Sequence, residues 1–376
     1  MAMGRAVLAL LLAGVAWGQI IIEPAKVPES LKHFVMPAGA KPLRCDASYI
    51  RPVLNFSLRF QAGYLVRVPM DQYLGPGHVW IIWERITPEN DPARAVYLGD
   101  KFILPDVPKT NIVLPVVGGY LLGEGRYRVE WMMWDDQGRV ALKQWTLEAE
   151  RSHANRNVKM AMAPGSVAEF SLRGAGAARA ADDAAAIRLT VLMNAAPISW
   201  RRMRLRATDQ IMLLGGLSAL LERVPTKSVR LVVFNLDQQQ ELYRSEHFAI
   251  EDLDQVGRVL NQTELGRVDF HVLQRPKGHL DFLAGLMNRE VREAEPSDVV
   301  LVLGPRPRYT DKIPAQELER AGGAPRFLYL QYQPFLHAPP EAPDTIRLAV
   351  KALRGKTLVI RTPADFAKGI EQVERK

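Results

Sequence analysis

Few residues in this 376-residue chain combine the types and spacing that chemistry needs. His279 and Asp281 come nearest to an acid–base pair. Two positions apart on a helix, their side chains point about 200° away from each other. They meet only if His279 stands in the loop before the helix; otherwise they read as a capping or solvated pair. The run Gly216-Leu217-Ser218-Ala219-Leu220 misses the Gly-x-Ser-x-Gly nucleophile elbow at its last position. Ser218 also falls inside a helical pattern, not at a strand-to-helix turn. Gly174 and Gly176 begin a dinucleotide fingerprint, but Arg179 stands where the third glycine belongs and no strand precedes it. The seven histidines include no pair four residues apart, so zinc ligation has no support. Arg306 and Arg308 follow a strongly apolar run and could grip an anionic ligand with their planar guanidinium groups, although loop arginines are usually only solvated. No reaction, cofactor or metal is legible, and the chain is expected not to be an enzyme; the alternative is a hydrolase-type enzyme at the carboxyl ends of its parallel strands, with His279, Asp237 and Arg306 as its actors.

The elements that would position these residues fall into two halves. From residue 187 onward, apolar runs alternate with helical patterns. Residues 189–193, 229–234, 268–273, 299–303, 327–331 and 357–360 read as strands. Helices are expected over 208–224, 250–261, 280–293, 315–320 and 344–353, and from 364 to the end. The first of these repeats Ile211, Leu214, Leu217, Leu221 and Val224 at helical spacing, with Thr208 as a cap and Pro225 just past the end. Residues 241–248 alternate and suit an antiparallel edge strand. Near-continuous Val and Leu runs between helices imply a mainly parallel, doubly wound α/β sheet covered on both faces. In such sheets ligands bind at the carboxyl ends of the strands. That rim carries Asn194, Asn235, Asp237, the loop 274–279 with His279, the loop 304–308 with Arg306 and Arg308, and residues 331–334.

Before residue 152 the pattern is β-like. Leu54, Phe56, Leu58 and Phe60 alternate with Asn55, Ser57 and Arg59, the period of a half-buried strand. Residues 64–68 and 78–86 follow in the same style around Gly75-Pro76-Gly77. Residues 126–134 and 140–147 flank Asp135-Asp136-Gln137-Gly138, a hairpin signal. Short strands with a turn about every ten residues suggest a β-sandwich of immunoglobulin-like size. Trp80, Trp83, Trp131, Trp134 and Trp145 all fall in these strands. They suit core and rim packing; the alternative is a sugar-stacking surface, which would make carbohydrate a partner. Residues 152–186 read as a linker, with the low-complexity run 174–181.

The N-terminus has the form of a secretory signal peptide: Arg5, an apolar run over 6–15, and Ala16-Trp17-Gly18 ahead of a cut after Gly18. That run is too short for a bilayer, which takes about 20 residues, and no other stretch spans. The expectation is an exported, periplasmic or extracellular protein with no transmembrane segment. The organisation is 1–18 signal peptide, 19–45 extended leader, 46–151 β-sandwich, 152–186 linker and 187–376 α/β domain. Cys45 is the only cysteine, so no internal disulfide forms. A buried, inert thiol is the plainest reading, with a reactive thiol or a link between chains as alternatives. Net charge is +8 and spread along the chain. Its densest run, Arg201, Arg202, Arg204 and Arg206, has no interleaved aromatics, which argues against nucleic acid. Asn55 and Asn261 sit in Asn-x-Ser/Thr sequons.

The strand order of the second half, with one antiparallel edge strand after its second β-run, resembles the von Willebrand factor type A domain. Residues 187–376 look like the secreted bacterial proteins related to it, which often join such a domain to an N-terminal β-domain. The resemblance implies protein interaction or surface adhesion. The family's metal-ion-dependent adhesion site is degenerate here. Its Asp-x-Ser-x-Ser motif would fall on Met193, Ala195 and Pro197, or on Asn194, Ala196 and Ile198. The loop 275–280 has no Thr, and Gly304-Pro305 stands where an Asp is needed. A hard cation needs several oxygen ligands, usually with carboxylates among them, so no metal is expected. The partner would be a protein the sequence does not name.

Overall fold

A computed structural model describes residues 19–170, 186–199, 204–263, 272, 274–275, 277–319, 324–334 and 343–375. The expected signal peptide, the low-complexity run 174–181, and Arg201 and Arg202 lie outside them. The chain is mixed α/β, mostly strands, and divides into two compact units. The first holds residues 19–54, 59–153 and 160–170; the second holds 55–58, 154–159 and the rest. Among the described residues no helix is long and apolar enough to cross a membrane.

The first unit is built from β1 (Ile20–Ile22), β2 (Lys41–Pro42), β3 (Asp46–Leu54), β4 (Phe60–Pro69), β5 (Val79–Pro88), β6 (Val96–Ile103), β7 (Val113–Leu122), β8 (Gly125–Asp135), β9 (Arg139–Ala149) and β10 (Val167–Glu169). They form a six-stranded sheet, β1-β6-β5-β8-β9-β2, and a four-stranded sheet, β10-β7-β4-β3. All these pairs are antiparallel except β2 with β9. Alternate residues of both sheets point into one shared core: Tyr64, Val66 and Val68 from β4 pack with Trp80, Ile82, Trp131 and Met133 from β5 and β8. The β8–β9 hairpin forms as its sequence predicts, with Gly138 at φ +70° in the turn.

Three local expectations fail. The alternating run 53–60 is not one strand: β3 ends at Leu54 and β4 starts at Phe60. Asn55 makes the turn instead, its Oδ1 accepting from the Ser57 N–H at 3.0 Å, with Leu58 at φ +57°. Phe56 and Leu58 are nonetheless buried, so the apolar period reports burial without extended backbone. The leader 19–45 is not merely extended. β1 joins the sheet edge, and a one-turn helix, Glu29–Lys32, lies on the sheet's outer face, where the Trp83 indole N–H donates to Leu31 O at 3.1 Å. In the expected linker, β10 pairs with β7.

The second unit's sheet has the order β13-β12-β11-β14-β15-β16. Its strands are β11 (Ile187–Asn194), β12 (Thr226–Asn235), β13 (Gln240–Ser245), β14 (Val299–Pro305), β15 (Arg326–Tyr332) and β16 (Lys356–Ile360). All pairs are parallel but the edge pair β12–β13. The helices are α1 (Ala207–Arg223), α2 (Leu253–Gln262), α3 (Gly278–Arg292), α4 (Thr345–Ala352) and α5 (Pro363–Glu374). Leu283 and Met287 of α3 and Ile346 and Val350 of α4 pack with Leu192, Val232, Val300 and Tyr329 on one sheet face. On α5, Gly369 lies so close to Leu330 that an added Cβ would meet it at 2.9 Å. Thr208 does not cap α1; the Asp209 carboxylate accepts from the Arg206 N–H at 2.9 Å. Of the expected strand 268–273, only Val272 is described, and it is helical.

Candidate functional site

The strand order reverses between β11 and β14, and a crevice is expected outside their carboxyl ends. β11 ends at Asn194, fully buried, whose Nδ2 donates to Pro305 O at 3.1 Å. Gly304 permits that approach. Its φ is +138°, and a Cβ there would meet Asn194 O at 2.7 Å, so no other residue fits without moving the backbone. β12 ends at Asn235, also fully buried. Its Nδ2 donates to Ala195 O at 2.7 Å and its Oδ1 accepts from the Gln238 N–H at 2.8 Å. The two asparagines therefore tie the loops after β11, β12 and β14 together.

Asp237 and Arg308 meet across the crevice, with Arg308 Nε 3.1 Å from Asp237 Oδ2. Burial raises the Asp237 pKa; the charges of Arg308 and His279 oppose that shift without cancelling it. Arg306 is half-exposed beside them. The space enclosed by Asn194, Pro197, Asp237, Arg306 and Arg308 is only about 10 Å³, enough for about one water. A small-molecule pocket takes roughly 300 Å³ or more. The rim is thus filled by its own side chains.

His279 lies inside α3, only 2% exposed, stacked on Tyr309 with ring centroids 3.9 Å apart and planes at 12°. Its carboxylate neighbour is Asp311, 3.4 Å from Nε2. The distance allows an ion pair, but the geometry makes no hydrogen bond, and both ring nitrogens lack one. Because His279 stands in the helix and not before it, it does not meet Asp281. Asn194, Asp237, Arg306 and Arg308 therefore line one space. Asn235 supports it from below, and His279 is packed behind Tyr309.

Tyr309 and Asp311 were not legible as site residues, since their partner stands some thirty positions earlier. Asp344 was read only as the start of a helix. It accepts from the Arg347 N–H at 2.9 Å and from Gln331 Nε2 at 2.6 Å. Burial raises its pKa against the pull of Arg306.

Among the described residues no three His, Cys, Asp or Glu side chains are grouped to hold a metal ion. In the first unit Trp80 and Trp131 are fully buried and Trp83 is 4% exposed, so these rings serve the core. Trp134 and Trp145 are half-buried against it.

No protein-family model matches the chain, and no curated protein matches it. Among solved structures, the ApaA protein from Bordetella pertussis is 16% identical, with 30% of this chain and 99% of that chain covered and a TM-score of 0.21. A second structural-genomics target is 14% identical over 31% of this chain and 98% of its own, with a TM-score of 0.19. Likenesses this slight carry no argument about fold or function.

Proposed function

We propose that the second unit is a von Willebrand factor A-like module that binds a protein partner through its strand-end loops without a metal. It would act within an exported protein whose first unit is an immunoglobulin-like β-sandwich. The strand order β13-β12-β11-β14-β15-β16, with its single antiparallel edge, supports the family reading. The Asp237–Arg308 ion pair carries the functional one. It engages a rim carboxylate with a guanidinium in place of leaving it open to a cation. With room for only about one water between these side chains, the described residues of the rim offer a surface for a macromolecule and no chamber for a small substrate.

The half-exposed Arg306 beside Arg308 makes an acidic segment the natural partner. The test is binding of a poly-glutamate peptide to the protein at several salt concentrations, with and without EDTA. Salt-sensitive binding that EDTA leaves intact and Arg306→Gln weakens is the expected result. No binding, or binding that EDTA abolishes, overturns the reading.

A further inference from the structure

At the opposite end of the same sheet lies a crevice of about 720 Å³, framed by the amino ends of β11, β12, β14 and β15 and the end of α5. Four cations line it, Arg188, Lys227, Arg326 and Arg375, against one carboxylate, Asp298. Asp298 already serves Arg188, accepting its N–H at 2.7 Å and standing 3.8 Å from its guanidinium. Arg326 donates to Val373 O at 3.0 Å, a neutral acceptor. Lys227 and Arg375 have no ion-pair partner among the described residues. Among the described residues the crevice is therefore a concave site with an excess of positive charge, where low-dielectric walls strengthen the pull on an anion.

We infer that this crevice binds a small polyanion carrying phosphate or sulfate groups. Three observations fix that class. The volume lies within the range of small-ligand sites, roughly 300–1,000 Å³. Three of the four cations are guanidinium groups, whose planar forks match tetrahedral oxyanions in bidentate fashion. The Arg326 guanidinium is also held below its usual pKa by burial alone, with no carboxylate offsetting it, so a bound anion would relieve a standing electrostatic cost. Strand carboxyl ends are the customary sites in open α/β sheets. At these amino ends the charge makes the case, and the site is independent of the rim.

Calorimetric titration of the protein with inorganic pyrophosphate, in about 150 mM salt where distant charges are screened, tests the inference. Saturable binding at one site is expected, weakened tenfold or more by Lys227→Ala with Arg375→Ala and by Arg326→Gln. Losing two exposed lysines from the first unit, Lys41→Ala with Lys101→Ala, should leave the affinity unchanged. So should Arg306→Gln, which separates this site from the rim. Sulfate should compete. Absence of saturation, equal weakening by the Lys41/Lys101 pair, or citrate binding as tightly as pyrophosphate each overturns the proposal. The second outcome would mean general attraction to a basic chain, and the third a site without oxyanion geometry.

Discussion

At the scale of single residues, the sharpest departures from ordinary chemistry are buried carboxyl groups, and the clearest is Glu84 on β5. Its side chain is fully buried, Oε2 accepts from Gln19 Nε2 at 2.6 Å, and Oε1 has no partner. Burial pushes its pKa up to about 8 from 4.5, against the opposing hydrogen bond. A carboxyl whose folded pKa lies above its unfolded one holds its proton better in the folded state. Its stabilising contribution is complete below about pH 4.5 and is lost as pH rises to about 8, by an amount on the order of a few kcal/mol. Glu84→Gln retains an oxygen for Gln19 and removes the titration. Urea unfolding at pH 5 and pH 8.5 should therefore show a smaller loss of stability in the variant than in the parent. An equal loss in both would mean that Glu84 does not titrate in this range. None of this is visible in the sequence, where Glu84 follows Trp83 as one polar residue among strand residues. The rim residues Asn194, Asn235 and Asp237 were legible, because strand ends in parallel sheets are known places. Cys45, expected to be buried, is half-buried, and burial pushes the thiol up to about 11.

At the scale of elements, the second unit's alternation of strand and helix was readable because a buried parallel strand is nearly all Val and Leu. Burial and extension part company elsewhere. The turn at Asn55 is as apolar in period as a strand, and β10 is too short to leave a pattern. The antiparallel edge was also legible, but what fastens it was not. Glu290 on α3, fully buried, receives Arg230 Nη1 at 2.7 Å from β12 and the Thr190 hydroxyl at 2.9 Å from β11. Arg244 of β13 stands 3.7 Å away, and Glu246 also pairs with Arg230. One helix carboxylate thus joins three neighbouring strands. Removing one partner of a buried pair costs about 3–5 kcal/mol, because the other charge stays behind. Glu290→Ala should lower stability by about that much, with Glu290→Gln milder since it keeps the hydroxyl and guanidinium within hydrogen-bond reach. Denaturant unfolding decides it. A loss under about 1 kcal/mol for the alanine variant would mean that water replaces the carboxylate at Arg230.

At the scale of the whole molecule, the chain divides into two compact units, whereas the sequence shows only a change of period near residue 187. What composition could not say is whether any charge in this +8 chain is organised around a cation. The structure's own pairing supplies the argument. Asp237 is engaged by Arg308, Asp344 by Gln331 and a helix N–H, and Asp311 faces His279. The carboxylates near the rim thus have protein partners, and the rim's loops carry arginines that repel a divalent ion. A ligand at 100 times its dissociation constant stabilises the folded state by about 2.7 kcal/mol, a rise of several degrees in a unit of this size. Thermal unfolding of the protein in millimolar Mg²⁺, Mn²⁺ or Ca²⁺ should therefore match unfolding in EDTA. A rise of several degrees with one of these ions, reversed by EDTA, would require a carboxylate site. If Asp237→Asn abolished that rise, the ion would have displaced Arg308 from Asp237, and metal-dependent adhesion would replace the guanidinium rim as the account of binding.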